Sequence, residues 1–144
     1  IFENRLLGWM FRLAKAIPIA PKTENSAVYE AAMQRAQEVL AAGDILGIFP
    51  EGGITRDGQL QAFKGGIMRV LEDAAAQGLQ PPVLPVAIQN MWGSYFSRVD
   101  GAAMRSPLRR GAWSRVGVHI GAAMAADKTK LEDLQGQVQT LLHS

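Results

Sequence analysis

The chain has 144 residues, enough for one domain with a sizeable core, and its 48% apolar and 19% charged content is that of a folded globular protein. It contains no cysteine, which excludes a disulfide framework and a thiolate metal site. The net charge is only +2, but between Asp100 and Asp127 there is no acid, while Arg105, Arg109, Arg110 and Arg115 all fall there. Such a block either favours an anionic partner or is a solvated loop with scattered arginines.

In chain order, Glu3 to Lys15 reads as a helix with Leu6, Leu7, Met10, Phe11 and Ala14 on one face. Ile17 to Pro21 (IPIAP) is too proline-rich for a helix and reads as an edge strand or an extended loop. Ser26 is the expected N-cap of a second helix with Val28, Ala32, Ala36, Val39 and Leu40 at helical spacing, and Gly43 ends it. Asp44 to Phe49 (DILGIF) is a continuous apolar run, the pattern of a strand covered on both faces. A third helix starts near Gly66, carries Ile67, Val70, Leu71 and Ala74, and stops at Gly78.

Val83 to Ile88 (VLPVAI) is the next expected strand, with Pro85 restricting its pairing. Val116, Val118 and Ile120 alternate with Arg115, Gly117 and His119, which predicts a half-exposed strand. A last helix carries Leu131, Leu134, Val138, Leu141 and Leu142, with Asp127 as its expected cap. The longest uncharged run, Ala74 to Ser97, is broken by prolines and glycines and does not read as a membrane span. Alternating helices and strands predict an α/β fold with a mixed, partly parallel sheet flanked by helices. In such sheets ligands sit beyond the carboxyl ends of the strands.

The end of DILGIF runs into Ile48–Gly58, IFPEGGITRDG. Pro50 sets the exit angle, and Gly52 and Gly53 allow close approach of backbone to a ligand. Glu51 either accepts hydrogen bonds from substrate hydroxyls or pairs with Arg56, whose planar fork suits a phosphate. Downstream, FKGG (Phe63 to Gly66) brings Lys64 and two glycines to a helix start, where free N–H groups favour an anion.

FPEG with a nearby arginine, then FK-x-G, then V-x-P-V-A, resembles the glycerolipid acyltransferases of the PlsC-like, lysophosphatidic acid acyltransferase family. Arg56 stands two positions later than in the usual FPEGTRS block. That spacing, with Gln89 to Arg98 (QNMWGSYFSR), looks more like the branch fused to transporter-like or acyl-activating domains. The resemblance implies a glycerolipid acyltransferase-like fold. Residues 1–144 would be a single domain, the C-terminal portion of an acyltransferase domain with its N-terminal part missing. A first residue of Ile1 rather than methionine agrees with that expectation.

The implied reaction moves an acyl group from acyl-CoA or acyl carrier protein to the free hydroxyl of a lysophospholipid, with no cofactor. In the family a His-x-x-x-x-Asp pair supplies the general base and the acid that orients it. Neither His119 nor His143 has an aspartate at that spacing, so the pair is expected upstream of Ile1, and this chain alone is expected to be inactive. Carried across residue by residue, Glu51, Gly52 and Arg56 would hold the acceptor, with Lys64 beside them. Where many members carry a phosphate-binding arginine after the IPIAP block, this chain offers Lys22.

The resemblance further implies a bacterial, membrane-associated protein at the cytoplasmic face of the inner membrane, with no nucleic-acid partner. Trp9, Met10 and Phe11 beside Arg5, Arg12 and Lys15 are either an interfacial stripe or a helix packed on its own core. Trp92, Tyr95, Phe96 and Trp113 are candidates for a membrane interface or for the lining of an acyl channel. The alternatives are a non-catalytic phospholipid or acyl-carrier binding module and, third, a nucleic-acid binder using the arginine block, for which no recognised motif is present.

Overall fold

A computed structural model describes residues 13, 15–94, 97–98, 101 and 115–144. They fall into two compact units, Ile1–Leu46 and Gly47–Ser144. Apart from Leu13 and Lys15, the helix expected over Glu3–Lys15 lies outside the described residues, as do Tyr95, Phe96, Arg105, Arg109, Arg110 and Trp113.

In the first unit, Ile17 to Pro21 forms neither helix nor strand, the Pro21 carbonyl accepts the Glu24 and Asn25 N–H groups at 2.9 and 3.0 Å, and α1 spans Ser26–Ala41. Its cap is Asn25 rather than Ser26: the Asn25 side chain accepts the Val28 N–H at 3.0 Å, and Ser26 is the first helical residue. Ala32, Met33 and Ala36 form the buried stripe. The helix ends in a Schellman motif. Gly43, at φ 75°, donates to the Leu40 carbonyl at 3.0 Å, and Asp44 donates to Val39 at 3.1 Å.

Residues 44–49 are not a strand. Ile45 is 97% and Phe49 76% exposed. A strand exists only as half of a pair, and among the described residues no strand pairs with this run.

The second unit contains α2 (Gly66–Ala76), β1 (Val86–Gln89), β2 (Gly117–Ile120), a 3-10 turn at Ala126–Lys128, and α3 (Leu131–Leu142). The end of α2 repeats the Schellman geometry. Gly78, at φ 76°, donates to Ala75 at 2.9 Å and Leu79 donates to Ala74 at 3.0 Å. Asp127 does not cap α3; it lies in the 3-10 turn, and the N-cap position is Lys130, which makes no side-chain cap bond.

The described sheet is antiparallel, β1 against β2, with Val86 opposite Ile120 and Ile88 opposite Val118. The ladder resumes at Val83 and Met124 with a mutual pair of bonds, 2.9 and 2.8 Å. Between these pairings Leu84 and Pro85 face Gly121, Ala122 and Ala123, so β2's side carries one extra residue. This is a bulge, and it sits where Pro85 has no N–H to give the ladder.

One face of the sheet packs on α3: Ala87 is 1% exposed and joins Phe63, Leu134 and Val138 in the core, with Leu60, Ile67, Val83 and Met124 against it. Gln89 then donates to the Leu141 and Leu142 carbonyls at 3.2 and 2.9 Å, satisfying groups that the end of α3 leaves open. The opposite face carries Val86, Ile88, Val118 and Ile120, the last two 60% and 65% exposed. The half-exposed strand expected at Val118 is present, with its β-branched side outward.

Candidate functional site

The site begins at the turn that follows Phe49. Gly52, at φ 67°, donates to the Phe49 carbonyl at 3.1 Å, closing a tight reversal that places Glu51 at its corner. The FKGG segment returns alongside it, with the Lys64 N–H donating to the Pro50 carbonyl at 2.8 Å. Phe63 anchors that segment from below: its ring is in the core and its N–H donates to Gln135 of α3 at 3.0 Å. The two motifs, a dozen residues apart in the chain, are therefore in direct backbone contact on a rigid floor.

Within the protein Glu51 is engaged by a backbone donor. Its Oε2 accepts the Gln61 N–H at 2.8 Å, across the base of the loop from 52 to 60. It forms no ion pair with Arg56 among the described residues. The other carboxylate oxygen has no hydrogen bond from the described residues. Gln61, invisible to motif reading because it contributes only its backbone, is the partner that sequence reasoning missed.

Arg56 sits in a small self-bonded turn. The Thr55 hydroxyl donates to Asp57 Oδ1 at 2.7 Å and accepts the Gly58 N–H at 3.1 Å, while Gln59 N–H donates to Asp57 Oδ1 at 3.0 Å. These bonds, first that from Gln59 and then that from Thr55, hold the Asp57 carboxyl below its ordinary 3.8. The Arg56 guanidinium is exposed and unpaired among the described residues.

Lys64 lies across Gly52: a Cβ built there would come 2.9 Å from Lys64 Nζ and 3.0 Å from its Cδ. The glycine is thus required twice, for its φ and for the lysine stem that passes over it. The Lys64 ammonium has no carboxylate partner among the described residues. Gly65, the N-cap of α2, provides no side-chain cap, so the first turn of the helix keeps its donors beside the lysine. Lys22 belongs to the other unit and stands 3.8 Å from Glu30, an exposed pair.

The site therefore presents two uncommitted cations on a fixed backbone, and among the described residues no general base beside them. His119 Nδ1 lies 3.2 Å from the Ser144 hydroxyl and His143 Nε2 is 2.8 Å from Gln139; neither is hydrogen-bonded to a carboxylate among the described residues. Among the described residues no cluster of His, Asp or Glu is placed to hold a metal ion, and no helix is long and apolar enough to cross a membrane.

A family model described as Acyltransferase matches residues 1–89, more than half of the chain and a span that includes FPEG, FKGG and VLPVAI. The chain belongs to the acyltransferase family. A curated relative, Taffazin of Dictyostelium discoideum, is 33% identical over 92 residues, which is 63% of this chain and 31% of the relative. The chain thus matches under a third of that relative's length. No solved structure matches. Within the acyltransferase match, the FPEG and FKGG segments are the two that the fold brings into contact.

Proposed function

We propose that this chain holds the phosphate-bearing acceptor for a phospholipid-synthesis acyltransferase. The acceptor is a lysophospholipid such as lysophosphatidic acid, and the donor is acyl-CoA or acyl carrier protein. The supporting observation is the pairing of FPEG with FKGG through the Lys64–Pro50 bond of 2.8 Å, with Arg56 and Lys64 left without carboxylate partners among the described residues. Two unpaired cations beside an uncapped helix start suit a phosphate. The open oxygen of Glu51 accepts a bond from the acceptor's glycerol hydroxyl, and Gly52 makes room for the Lys64 stem beside it.

In the reaction the acceptor hydroxyl attacks the thioester carbonyl, an ester C–O bond forms, the C–S bond breaks, and the thiol leaves with the proton. That proton must pass through a general base, and neither histidine has, among the described residues, the carboxylate partner such a base needs. The base is assigned to a His-x-x-x-x-Asp pair preceding Ile1, and this chain alone is therefore without turnover. The same reading places the protein at a membrane surface, on the cytoplasmic face of a bacterial inner membrane. It belongs there to the branch fused to transporter-like or acyl-activating domains.

The test is Arg56→Ala in the intact protein, assayed with lysophosphatidic acid and acyl-CoA. Loss of a charge-assisted phosphate contact should cost about 2 kcal/mol, a roughly thirtyfold rise in the acceptor KM. An unchanged KM in a folded variant removes Arg56 from acceptor binding. Turnover by the 144-residue chain alone, abolished by changing His119, would show that the base lies within it.

A further inference from the structure

Arg56 is fixed by nothing but its backbone, since its own side chain has no partner among the described residues. What locates that backbone is therefore what locates the guanidinium. The bonds among Thr55, Asp57, Gly58 and Gln59 shape the turn internally but tie it to no other element. Glu51 closes the loop at its base, through Gln61. A contact also reaches the turn from elsewhere in the fold: the indole of Trp92 lies on Gly58.

That contact is close. A Cβ at Gly58 would sit 2.8 Å from Trp92 Cδ2, 2.9 Å from Cγ and 3.1 Å from Cε2, so the ring face occupies the space a side chain would need. Gly58 also has φ 81°, a conformation that a side chain would strain. Trp92 in turn is well founded. It follows β1 within a reversal marked by Asn90 at φ 64° and Gly93 at φ 82°, closed by the Ser94 N–H donating to Met91 at 3.1 Å. Gln89, at the end of β1, is bonded to the last carbonyls of α3. A continuous path runs from α3 through Gln89 and Trp92 to Gly58, two residues from Arg56.

We propose that Trp92 is a positioning residue: by lying on Gly58 it holds the turn that carries Arg56, and so sets where the guanidinium meets an anionic acceptor. The second half of this proposal rests on the acceptor reading of Arg56; the first half does not. Trp92 acts through the turn and touches no reacting atom.

The experiment uses the intact protein with Trp92→Ala and Trp92→Phe, read first by amide hydrogen exchange and then by kinetics with lysophosphatidic acid. Trp92→Ala should speed exchange at Gly58 and Gln59 by roughly tenfold or more, while the Val83 and Leu134 amides, bonded to Met124 and Lys130, keep their protection. The acceptor KM should rise about fivefold or more with kcat within about twofold, and Phe should restore most of both. In an Arg56→Ala background the Trp92 change should add almost nothing to KM, because both act on one contact. Unchanged exchange at Gly58 and Gln59 in a folded variant overturns the proposal. A KM rise of the same factor with and without Arg56 overturns the route through that arginine. If Arg56→Ala leaves KM unchanged, the acceptor reading fails with it, and the exchange at Gly58 and Gln59 still decides whether Trp92 holds the turn.

Discussion

Glu51 is a loop clamp before it is anything else, and its substitutions separate that role from acceptor binding. Glu51→Ala leaves the part-buried Gln61 N–H without its acceptor and should cost about 1–3 kcal/mol in urea unfolding. Glu51→Gln keeps an oxygen for that N–H and should stay within about 1 kcal/mol of the parent, while lowering kcat/KM in the intact protein if the charge serves the acceptor. A large stability loss in the Gln variant with full activity would make the residue purely structural. Asp57 gives a pH signature at the same scale. Its folded value is below 3.8, so its contribution is fully present above pH 3.8 and is lost as pH falls below that through the folded value. The Gln59 amide should stay protected at pH 5 and lose protection only in the acid range, followed by exchange; loss already near pH 6 would contradict the sign. That Glu51 accepts a hydrogen bond was legible in FPEGGITRDG. The partner of Glu51 was not, because a backbone N–H ten positions on leaves no mark in residue identity.

Helix ends show the same division at the level of elements. Gly43 and Gly78 marked both stops, and each adopts the left-handed conformation that a Schellman end demands. Neither has an atom within 4 Å of a built Cβ, so Gly78→Ala should cost about 1–2 kcal/mol from backbone strain alone. At Gly121, whose φ is not in the left-handed region, the penalty is steric instead, because a Cβ would meet Pro85 at 2.9 Å. At the other end, Asn25→Ala should lower stability by about 1 kcal/mol, since it removes the Val28 cap, whereas Ser26→Ala should be near neutral. Equal effects in thermal melts would mean the cap is not where the hydrogen bond places it. Both Asn and Ser are good caps, and adjacent candidates are separated only by the dihedral angles of the entering chain.

At the scale of the whole molecule, the core of the second unit is one-sided. Leu134 is 3% exposed and Leu134→Ala should cost about 2–5 kcal/mol. Ile120 is equally apolar but 65% exposed, so Ile120→Thr in the 144-residue chain should cost no more than about 0.5 kcal/mol by denaturant titration. A cost near that of Leu134 would show the outer sheet face to be covered in solution.

The helices, the glycine stops and the motif residues follow from the sequence alone, because capping, helical periodicity and left-handed backbone are local and each is written in residue type at short range. The same local signals made Asp44–Phe49 look like a strand and Asp127 look like a cap. Pairing decided otherwise, since a strand needs a neighbour's hydrogen bonds and a cap needs an N–H within reach. Only tertiary structure could set Lys64 against Pro50, turn the β-branched face of β2 outward, or lay Trp92 on Gly58. Those contacts join residues far apart in the chain, and no periodicity in the intervening segments encodes where their ends will meet.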